Sequence, residues 1–398
     1  MFNGFRGSRT ASPKVDTARP APSPDLSADI VLFPYDFRQS IADTAARLKA
    51  EIDARLESLT AEARRRRVIV VAHSMGGLVA RYWLGPLRGA RDCQALITVG
   101  TPHRGAPKAL DWLVNGAHVG PVPLTAVTEV LAGWPSVYEL LPRYPAIWHR
   151  PSATAWYPHE LTGFAFRSGV DCHSFRTRAR RSYELHRTME DCWNGPAGEL
   201  PEVVPLFSRG HGTLDRAEVA EAGLAVSKRG AEWLPNPGWG GDGTVPAISA
   251  IPIELDKRQG MWRPVVERHG PMAETSSAVS VLTEYMGESM SPVRGVLPGR
   301  PWLGLDLPDL VLAGTETAVT AELLGCPHPT RGAAGLTLWP IDCPGTARQI
   351  DLSPGGDNAW VGEIPGLSPG LYEWAARVVG VAAVDQVTCG DVVAVVAP

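Results

Sequence analysis

The chain has 398 residues, more than a single hydrophobic core usually holds, so at least two domains are expected. Hydrophobic residues make up 44% of the chain and charged residues 20%, which excludes a largely disordered protein. The formal net charge of -4 gives no reason to expect nucleic acid as a partner.

Neither a targeting segment nor a membrane span is visible in the sequence. Residues 1–28 contain no apolar run of signal-peptide length, and no stretch approaches the length of a membrane span, so we expect a cytoplasmic protein. The six cysteines are too few and too scattered for a disulfide framework. In an exported protein, Cys172 could pair with Cys192 and Cys326 with Cys343.

The first elements along the chain are a lead-in, a strand and a helix. Residues 1–28 are rich in Pro, Ser, Arg and Ala without periodicity, which predicts a flexible segment. The β-branched run in "ADIVLFPYDF" (28–37) predicts a buried strand. Apolar residues at helical spacing over 39–63 predict a helix with Ser40 as its N-cap. We interpret the four arginines at 64–67 as a solvated helix end rather than a localisation signal.

Strands and helices then alternate before the pattern is interrupted. "VIVVA" (68–72) and "ALITVG" (95–100) predict buried strands, and "GGLVARYWL" (76–84) between them predicts a helix. This alternation is typical of a parallel sheet covered on both faces. From about 107 to 200, aromatic residues are scattered among Pro and Gly, which predicts a cap inserted over the sheet.

A metal site inside this insertion is the weakest of the sequence hypotheses. Asp171, Cys172 and His173 lie upstream of His186 and Cys192, but their spacing matches no common ligand pattern. We therefore expect neither a metal nor another cofactor.

After the insertion the sheet pattern returns. "EVVPLFSRG" (202–210) and "MWRPVVERHG" (261–270) predict strands, and "AETSSAVSVLTEYMG" (273–287) predicts a closing helix. The α/β domain is therefore expected to span residues 29–289.

A second domain follows a linker rich in Pro and Gly at residues 290–300. Residues 301–398 contain short alternating runs such as "AVTAELL" and "LYEWAARVV", separated by turn residues at intervals of roughly ten. This pattern predicts a small all-β sandwich, for which the sequence suggests no chemistry.

The string Ala72-His73-Ser74-Met75-Gly76 lies between a predicted strand and a predicted helix. A sharp strand–turn–helix of this kind projects the serine hydroxyl from the sheet edge, and small residues let the helix cross the strand closely. Ser74 is therefore a candidate nucleophile, although a tight turn without chemistry has the same small residues. A serine nucleophile also needs a base to take its proton.

An acid and a histidine follow Ser74 in the required order. Asp242 lies in the glycine-rich loop "WGGDGTVPAIS" (239–249), where the alternative is a turn aspartate bonded to its own backbone. His269 follows the strand that precedes it, as a base at the sheet edge would. His211 is a weaker candidate for the base, and His103 is interpreted as a structural or pocket-rim residue.

Five motifs carry a family resemblance, in the order "FPYDFR" (33–38), "AHSMGG" (72–77), "GTPHRGAP" (100–107), "SVYELLP" (136–142) and "GDGTVP" (241–246). Together they resemble the lecithin:cholesterol acyltransferase and phospholipid:diacylglycerol acyltransferase family of α/β-hydrolases. The resemblance covers about two-thirds of the chain and implies an α/β-hydrolase-type, mostly parallel sheet with a cap.

The resemblance also implies an activity. Ser74, Asp242 and His269 would form a catalytic triad acting on an acyl ester with a lipid-like acyl chain, through an acyl-serine intermediate. Water or an alcohol acceptor would release the acyl group, and this choice separates a lipase or esterase from an acyltransferase. Peripheral contact with a membrane is compatible with such a substrate. An amidase or thioesterase with the same triad is an alternative, and so is a binding protein that has lost its catalysis.

The oxyanion hole is where the sequence departs from the family. Met75 would donate one backbone N–H, and His73, Pro102 and His103 are expected to contact substrate. The second donor normally follows an earlier strand, which in the family lies centrally in the sheet, and residues 1–28 have no apolar run of strand length. The explanations are an incomplete N-terminus, which we favour, replacement by another segment, or loss of activity.

Overall fold

A computed structural model gives the structure of the protein. It describes residues 15–17, 30–65, 67–119, 122–163, 166–194, 200–220, 223–228, 230, 232–233, 239–285, 301–326, 332–342, 347–381 and 386–397. Within these ranges, no helix has both the length and the apolar character needed to cross a membrane.

The helices and strands are numbered in chain order. The helices are α1 (Ile41–Leu56), α2 (Ala61–Arg64), α3 (Gly76–Leu84), α4 (Pro107–Val114), α5 (Thr125–Gly133), α6 (Pro135–Glu139), α7 (Cys172–Trp193) and α8 (Ser276–Tyr285). The strands before the linker are β1 (Val15–Thr17), β2 (Ile30–Leu32), β3 (Val68–His73), β4 (Cys93–Val99), β5 (His118–Val119), β6 (Val122–Pro123), β7 (Ile147–His149), β8 (Thr154–Trp156), β9 (Glu202–Ser208), β10 (Arg216–Ala220), β11 (Gly223–Ser227) and β12 (Arg263–Val265). The strands after it are β13 (Trp302–Asp306), β14 (Leu310–Leu312), β15 (Thr317–Leu324), β16 (Ala333–Pro340), β17 (Arg348–Gly356), β18 (Ala359–Ile364), β19 (Gly370–Val379) and β20 (Gln386–Val396).

A parallel four-stranded sheet organises the α/β domain, with the strand order β12-β9-β4-β3. Its central strands are almost entirely apolar because both faces are covered. Leu78 and Trp83 of α3 pack on one face, together with α1. Val281 of α8 packs on the other face, against Ile97 and Leu206. The predicted α/β fold with a mostly parallel sheet is confirmed.

Helix α1 begins where the sequence predicts. The Ser40 side chain accepts a hydrogen bond from the Asp43 N–H, so it caps the first turn. The predicted single helix over 39–63 is divided, however, because α1 ends at Leu56 and α2 begins after a second cap, Thr60.

The outer edge of β3 pairs with no strand in the described part of the chain, and Val71 on β3 is 49% exposed. β1 and β2 instead form a separate parallel pair. The expectation that residues 1–28 contain no strand is therefore wrong at Val15–Thr17, a strand too short to produce a hydrophobic pattern. The other residues of the predicted flexible lead-in lie outside the described residues.

The cap is larger than the sequence predicts. It contains α4 to α7 and a second sheet with the strand order β11-β10-β7-β8. After β9 returns to the main sheet, the chain leaves it again as the β10–β11 hairpin, and β10 pairs in parallel with β7. The predicted end of the cap at about residue 200 is therefore too early, because this pairing joins segments distant in sequence.

The C-terminal β-domain consists of β13 to β20 and is all-β, as predicted. Its strands form one continuous curled sheet with the order β13-β15-β18-β17-β16-β19-β20-β14. Register shifts between Pro354 and Gly356, where β17 pairs with β18. Inward-facing side chains from both halves of the sheet, such as Val319 and Trp374, form a single core. The predicted linker lies outside the described residues.

The structure excludes one of the two cysteine pairs. Cys172 and Cys192 lie near opposite ends of α7, about 30 Å apart at 1.5 Å per residue, so they cannot form a disulfide. Cys326 forms no disulfide with another described cysteine, and its suggested partner, Cys343, lies outside the described residues.

Candidate active site

Ser74 lies in the sharp turn that joins β3 to α3. Its φ of +54° is left-handed, a conformation that costs free energy for a residue other than glycine. The backbone holds it there because the Ser74 N–H donates to the Val99 carbonyl at 2.9 Å. The Thr101 hydroxyl donates to the Ser74 carbonyl at 2.8 Å, so the end of β4 fixes both sides of the turn.

The structure brings Ser74, His269 and Asp242 together. The Ser74 hydroxyl lies 2.9 Å from His269 Nε2, and His269 Nδ1 lies 2.8 Å from Asp242 Oδ2. These distances fit an imidazole that accepts a hydrogen bond from the serine and donates one to the carboxylate. Residues almost 200 positions apart therefore form one hydrogen-bonded line.

Asp242 is held by its own loop. It is 1% exposed, and its other oxygen, Oδ1, accepts the N–H groups of Thr244 at 2.9 Å and Val245 at 2.7 Å. The carbonyl of Asp242 accepts the His269 N–H at 3.0 Å, so the two loops are joined through their backbones as well. The carboxylate is thereby fixed in its orientation toward the imidazole.

The ionisation of the pair is set by burial and by their mutual attraction. Burial alone would raise the pKa of Asp242, but the charge and hydrogen bond of His269 lower it overall. Burial alone would lower the pKa of His269, but the charge and hydrogen bond of Asp242 raise it overall. The pair therefore favours a carboxylate that stabilises an imidazolium.

Two glycines leave the space that this arrangement needs. A Cβ at Gly100, where φ is +58°, would lie 3.0 Å from Asp242 Oδ2 and 3.1 Å from His269 Nδ1. A Cβ at Gly77 would overlap the Thr101 side chain. Both glycines are required by close packing around the site.

Met75 is the residue directly before α3, and its backbone N–H is the first candidate oxyanion donor. No acceptor within the described ranges takes this hydrogen, and the positive end of the helix dipole lies beside it. The ring of Tyr35 lies over Gly76, with its hydroxyl 3.5 Å from where a Cβ would be.

The three expected substrate contacts have different environments. His73 is exposed at the outer edge of β3, and its Nε2 donates to the His269 carbonyl at 2.8 Å. Pro102 is buried. His103 is only 5% exposed, and its Nε2 shares a hydrogen bond with Thr98. A structural role therefore fits His103, whereas a position at a pocket rim does not.

The ring nitrogens of His211 have partners other than Ser74. Its ring is buried, Nε2 donates to the Val266 carbonyl at 2.9 Å, and Nδ1 accepts the Leu305 N–H at 3.2 Å. Because both nitrogens are occupied, His211 joins the loop before His269 to the C-terminal β-domain and cannot serve as the base.

Two of the residues considered as metal ligands, Asp171 and His186, have structural hydrogen-bond partners. Asp171 caps α7, and His186 Nε2 donates to the Glu139 carbonyl at 2.7 Å. Within the described ranges, no three His, Cys, Asp or Glu side chains are grouped as a metal site would require.

Sequence reasoning missed Thr101 and Arg268. Thr101 lies inside the motif "GTPHRGAP", but only the tertiary structure shows that its hydroxyl supports Ser74. Arg268 precedes His269 and is 2% exposed, with partners in a different domain. Arg268 lies beside other charged residues in the sequence, and this pattern does not predict that its side chain is buried.

Together, the parallel sheet and the turn at Ser74 define an α/β-hydrolase fold. Residues 27–165 match the family model described as lecithin:cholesterol acyltransferase, so the resemblance inferred from the motifs is confirmed over this segment. The chain is also similar to triacylglycerol lipase 2 of Saccharomyces cerevisiae, at 34% identity over 77 residues. That match covers 19% of this chain, and the chain spans only 23% of the yeast protein.

A solved lipase gives a weaker match. The mature form of lipase BlEst2 from Bacillus licheniformis is 15% identical, with 71% of this chain and 95% of that chain covered. The TM-score of 0.37 is too low for this match to add to the fold described above.

Proposed function

We propose that the protein is a serine-dependent enzyme of acyl-ester chemistry, either a lipase or esterase or an O-acyltransferase. The observation that carries this proposal is the hydrogen-bonded line from the Ser74 hydroxyl through His269 to the buried Asp242. The family match over residues 27–165 supports ester chemistry independently of that geometry.

In the first half of the reaction, His269 Nε2 takes the proton of Ser74 while Oγ attacks the ester carbonyl carbon. Asp242 stabilises the imidazolium that forms and keeps Nδ1 as the donor. The N–H of Met75 donates to the developing oxyanion. When the tetrahedral intermediate collapses, the C–O bond breaks, His269 protonates the leaving alcohol, and the acyl group stays on Ser74.

In the second half, His269 takes a proton from water or from an acceptor alcohol, which attacks the acyl-serine. Collapse of the new intermediate returns the proton to Ser74 and releases an acid or a new ester. Which acceptor reacts depends on how well the cap excludes water from the acyl-serine.

A lipid-like acyl chain is the proposed substrate. This proposal is supported by the family match and not by the aromatic residues of the cap. Tyr138, Phe166 and Phe175, for example, pack in the core of the cap itself and are not available to line an acyl pocket. An alcohol acceptor, peripheral contact with a membrane and a cytoplasmic location belong to the same proposal.

A fluorophosphonate probe tests the nucleophile. We expect covalent labelling of the full chain that disappears in Ser74→Ala, with Ser208→Ala as a matched control at a buried serine outside the site. Labelling that persists in Ser74→Ala, or folded protein that is never labelled, would contradict the proposal.

A panel of p-nitrophenyl esters, assayed with and without an added long-chain alcohol, separates the substrate choices. We expect faster turnover of long acyl chains than of acetyl to butyryl esters. Preference for the short esters would refute the lipid assignment, whereas formation of a new ester in water would identify an acyltransferase.

A binding protein that has lost its catalysis is the second candidate. No strand among the described residues pairs with the outer edge of β3, where Val71 is 49% exposed. This favours the binding protein, because the second oxyanion donor would be expected on that side. An amidase or thioesterase could use the same three side chains, and amide and thioester substrates in the same panel would reveal it.

A further inference from the structure

Arg268, the residue before His269, lies in the α/β domain, but its side chain bonds to the C-terminal β-domain. Its side chain is 2% exposed, and its guanidinium bonds to the C-terminal β-domain. Nη2 lies 2.5 Å from Asp309 Oδ1, and Nε lies 3.0 Å from Asp391 Oδ2. Nη1 and Nη2 also donate to the carbonyls of Leu305 and Leu307, each at 3.2 Å. Such complete pairing is what a buried guanidinium requires.

Asp309 joins three segments of the α/β domain. Besides bonding to Arg268, its carboxylate accepts a hydrogen bond from the Lys108 ammonium at 2.8 Å. It also accepts one from the Thr244 hydroxyl at 3.5 Å. Lys108 lies at the start of α4. Thr244 also donates its N–H to Asp242, so one carboxylate of the C-terminal β-domain contacts the loops of both Asp242 and His269. Burial alone would raise the pKa of Asp309, but Lys108 and Arg268 lower it overall, which keeps the carboxylate charged.

Glycines next to two of the three site residues allow this approach. A Cβ at Gly243, which follows Asp242 and has φ of +95°, would lie 3.0 Å from the Arg268 guanidinium. A Cβ at Gly270, which follows His269, would lie 3.2 Å from Asp391 Oδ1. The C-terminal β-domain therefore packs directly against the backbone that carries the imidazole and its carboxylate.

We propose that the C-terminal β-domain is part of the catalytic framework, in which Asp309 and Asp391 hold Arg268 and thereby position His269 against Ser74. The inference rests on the proposed function for its effect on turnover. Arg268, Asp309 and Asp391 act as positioning residues, because their contacts reach the imidazole only through the loop.

The test compares Asp309→Asn and Asp391→Asn with Asp306→Asn in the full chain. Asp306 is the matched control because it pairs with Lys228 across the same interface but does not contact Arg268. Since a displacement of about 1 Å can cost 10²-fold in rate, we expect kcat to fall about 10- to 100-fold in the first two variants. KM should stay within about twofold, and the control should keep both constants.

Hydrogen exchange gives a readout that does not need catalysis. The His269 N–H, which donates to the Asp242 carbonyl, should exchange at least about 10-fold faster in Asp309→Asn and Asp391→Asn, because their loop opens more often. The exchange of β4 amides should stay unchanged, which excludes general unfolding. If Asp309→Asn does not fold, Asp391→Asn alone decides, since it leaves the Lys108 and Thr244 contacts intact.

The outcomes separate the two proposals. Wild-type protein without Ser74 labelling but with faster loop exchange in the variants would overturn the proposed function and support the positioning role. Active variants with unchanged kcat and unchanged exchange would overturn the positioning role alone.

Discussion

Glu139 links the cap to the α/β domain through a buried carboxyl group. It is 9% exposed, and its Oε2 accepts the N–H of Ile41, the first residue of α1, at 2.7 Å. Burial raises the pKa of Glu139 from its ordinary 4.5 to about 7. The charged form is therefore disfavoured in the folded protein, and Glu139→Gln should remove this penalty while keeping an acceptor oxygen.

The sign and size of the effect follow from proton linkage. Because the folded-state pKa of Glu139 is raised, the stability from its proton is fully present below pH 4.5 and is lost as pH rises to about 7. Each pKa unit corresponds to about 1.4 kcal/mol, so the full loss is about 3 kcal/mol. Relative to wild type, the free energy of unfolding of Glu139→Gln should therefore rise by about 3 kcal/mol between pH 4.5 and pH 8.

Urea unfolding followed by tryptophan fluorescence at several pH values measures this difference. Any constant cost of the glutamine amide cancels when two pH values are compared. Glu57→Gln, at an exposed position at the end of α1, controls for the loss of one negative charge. A difference between Glu139→Gln and wild type that stays constant within about 0.5 kcal/mol from pH 4.5 to pH 8 would refute the reasoning.

Two further predictions concern the site. Gly77→Ala places a Cβ against Thr101, so we expect about 1–3 kcal/mol of destabilisation and slower fluorophosphonate labelling. Gly133→Ala, in helix α5 where a Cβ meets nothing within 4 Å, should leave the labelling rate unchanged and should not destabilise the protein. Equal stabilities of the two variants would argue against the packing at Gly77. Asp242→Asn removes the charge that raises the pKa of His269, so the acid limb of the kcat/KM profile should move to lower pH while kcat falls about 10⁴-fold. An unmoved limb would contradict this account.

Local sequence was most informative where one segment determines its own structure. The apolar run of β3 followed by the small residues around Ser74 predicts a strand–turn–helix, and the chain forms that turn with Ser74 at positive φ. The capping of α1 by Ser40 is equally local, because donor and acceptor are three residues apart. The order of the acid and the histidine after Ser74 then narrowed the candidates to Asp242 and His269.

Prediction was poorest where a residue's environment comes from distant segments. Almost all side chains of β17 are exposed, so its sequence lacks the alternation of a half-buried strand. The sequence therefore did not predict that β17 pairs with β16 and β18. The β10–β11 hairpin is ordinary in sequence, and it belongs to the cap only because β10 pairs with β7.

Hydrophobic period and turn chemistry are local, so the amino-acid sequence alone predicts the alternating α/β elements, the turn at Ser74, the all-β second domain and the order of the three candidate residues. Long-range packing sets hydrogen-bond partners and burial, and no local pattern encodes it. The folded chain was therefore needed to show that His269 lies between Ser74 and Asp242, that His103 and His211 are buried, and that Arg268 bonds to Asp309 and Asp391.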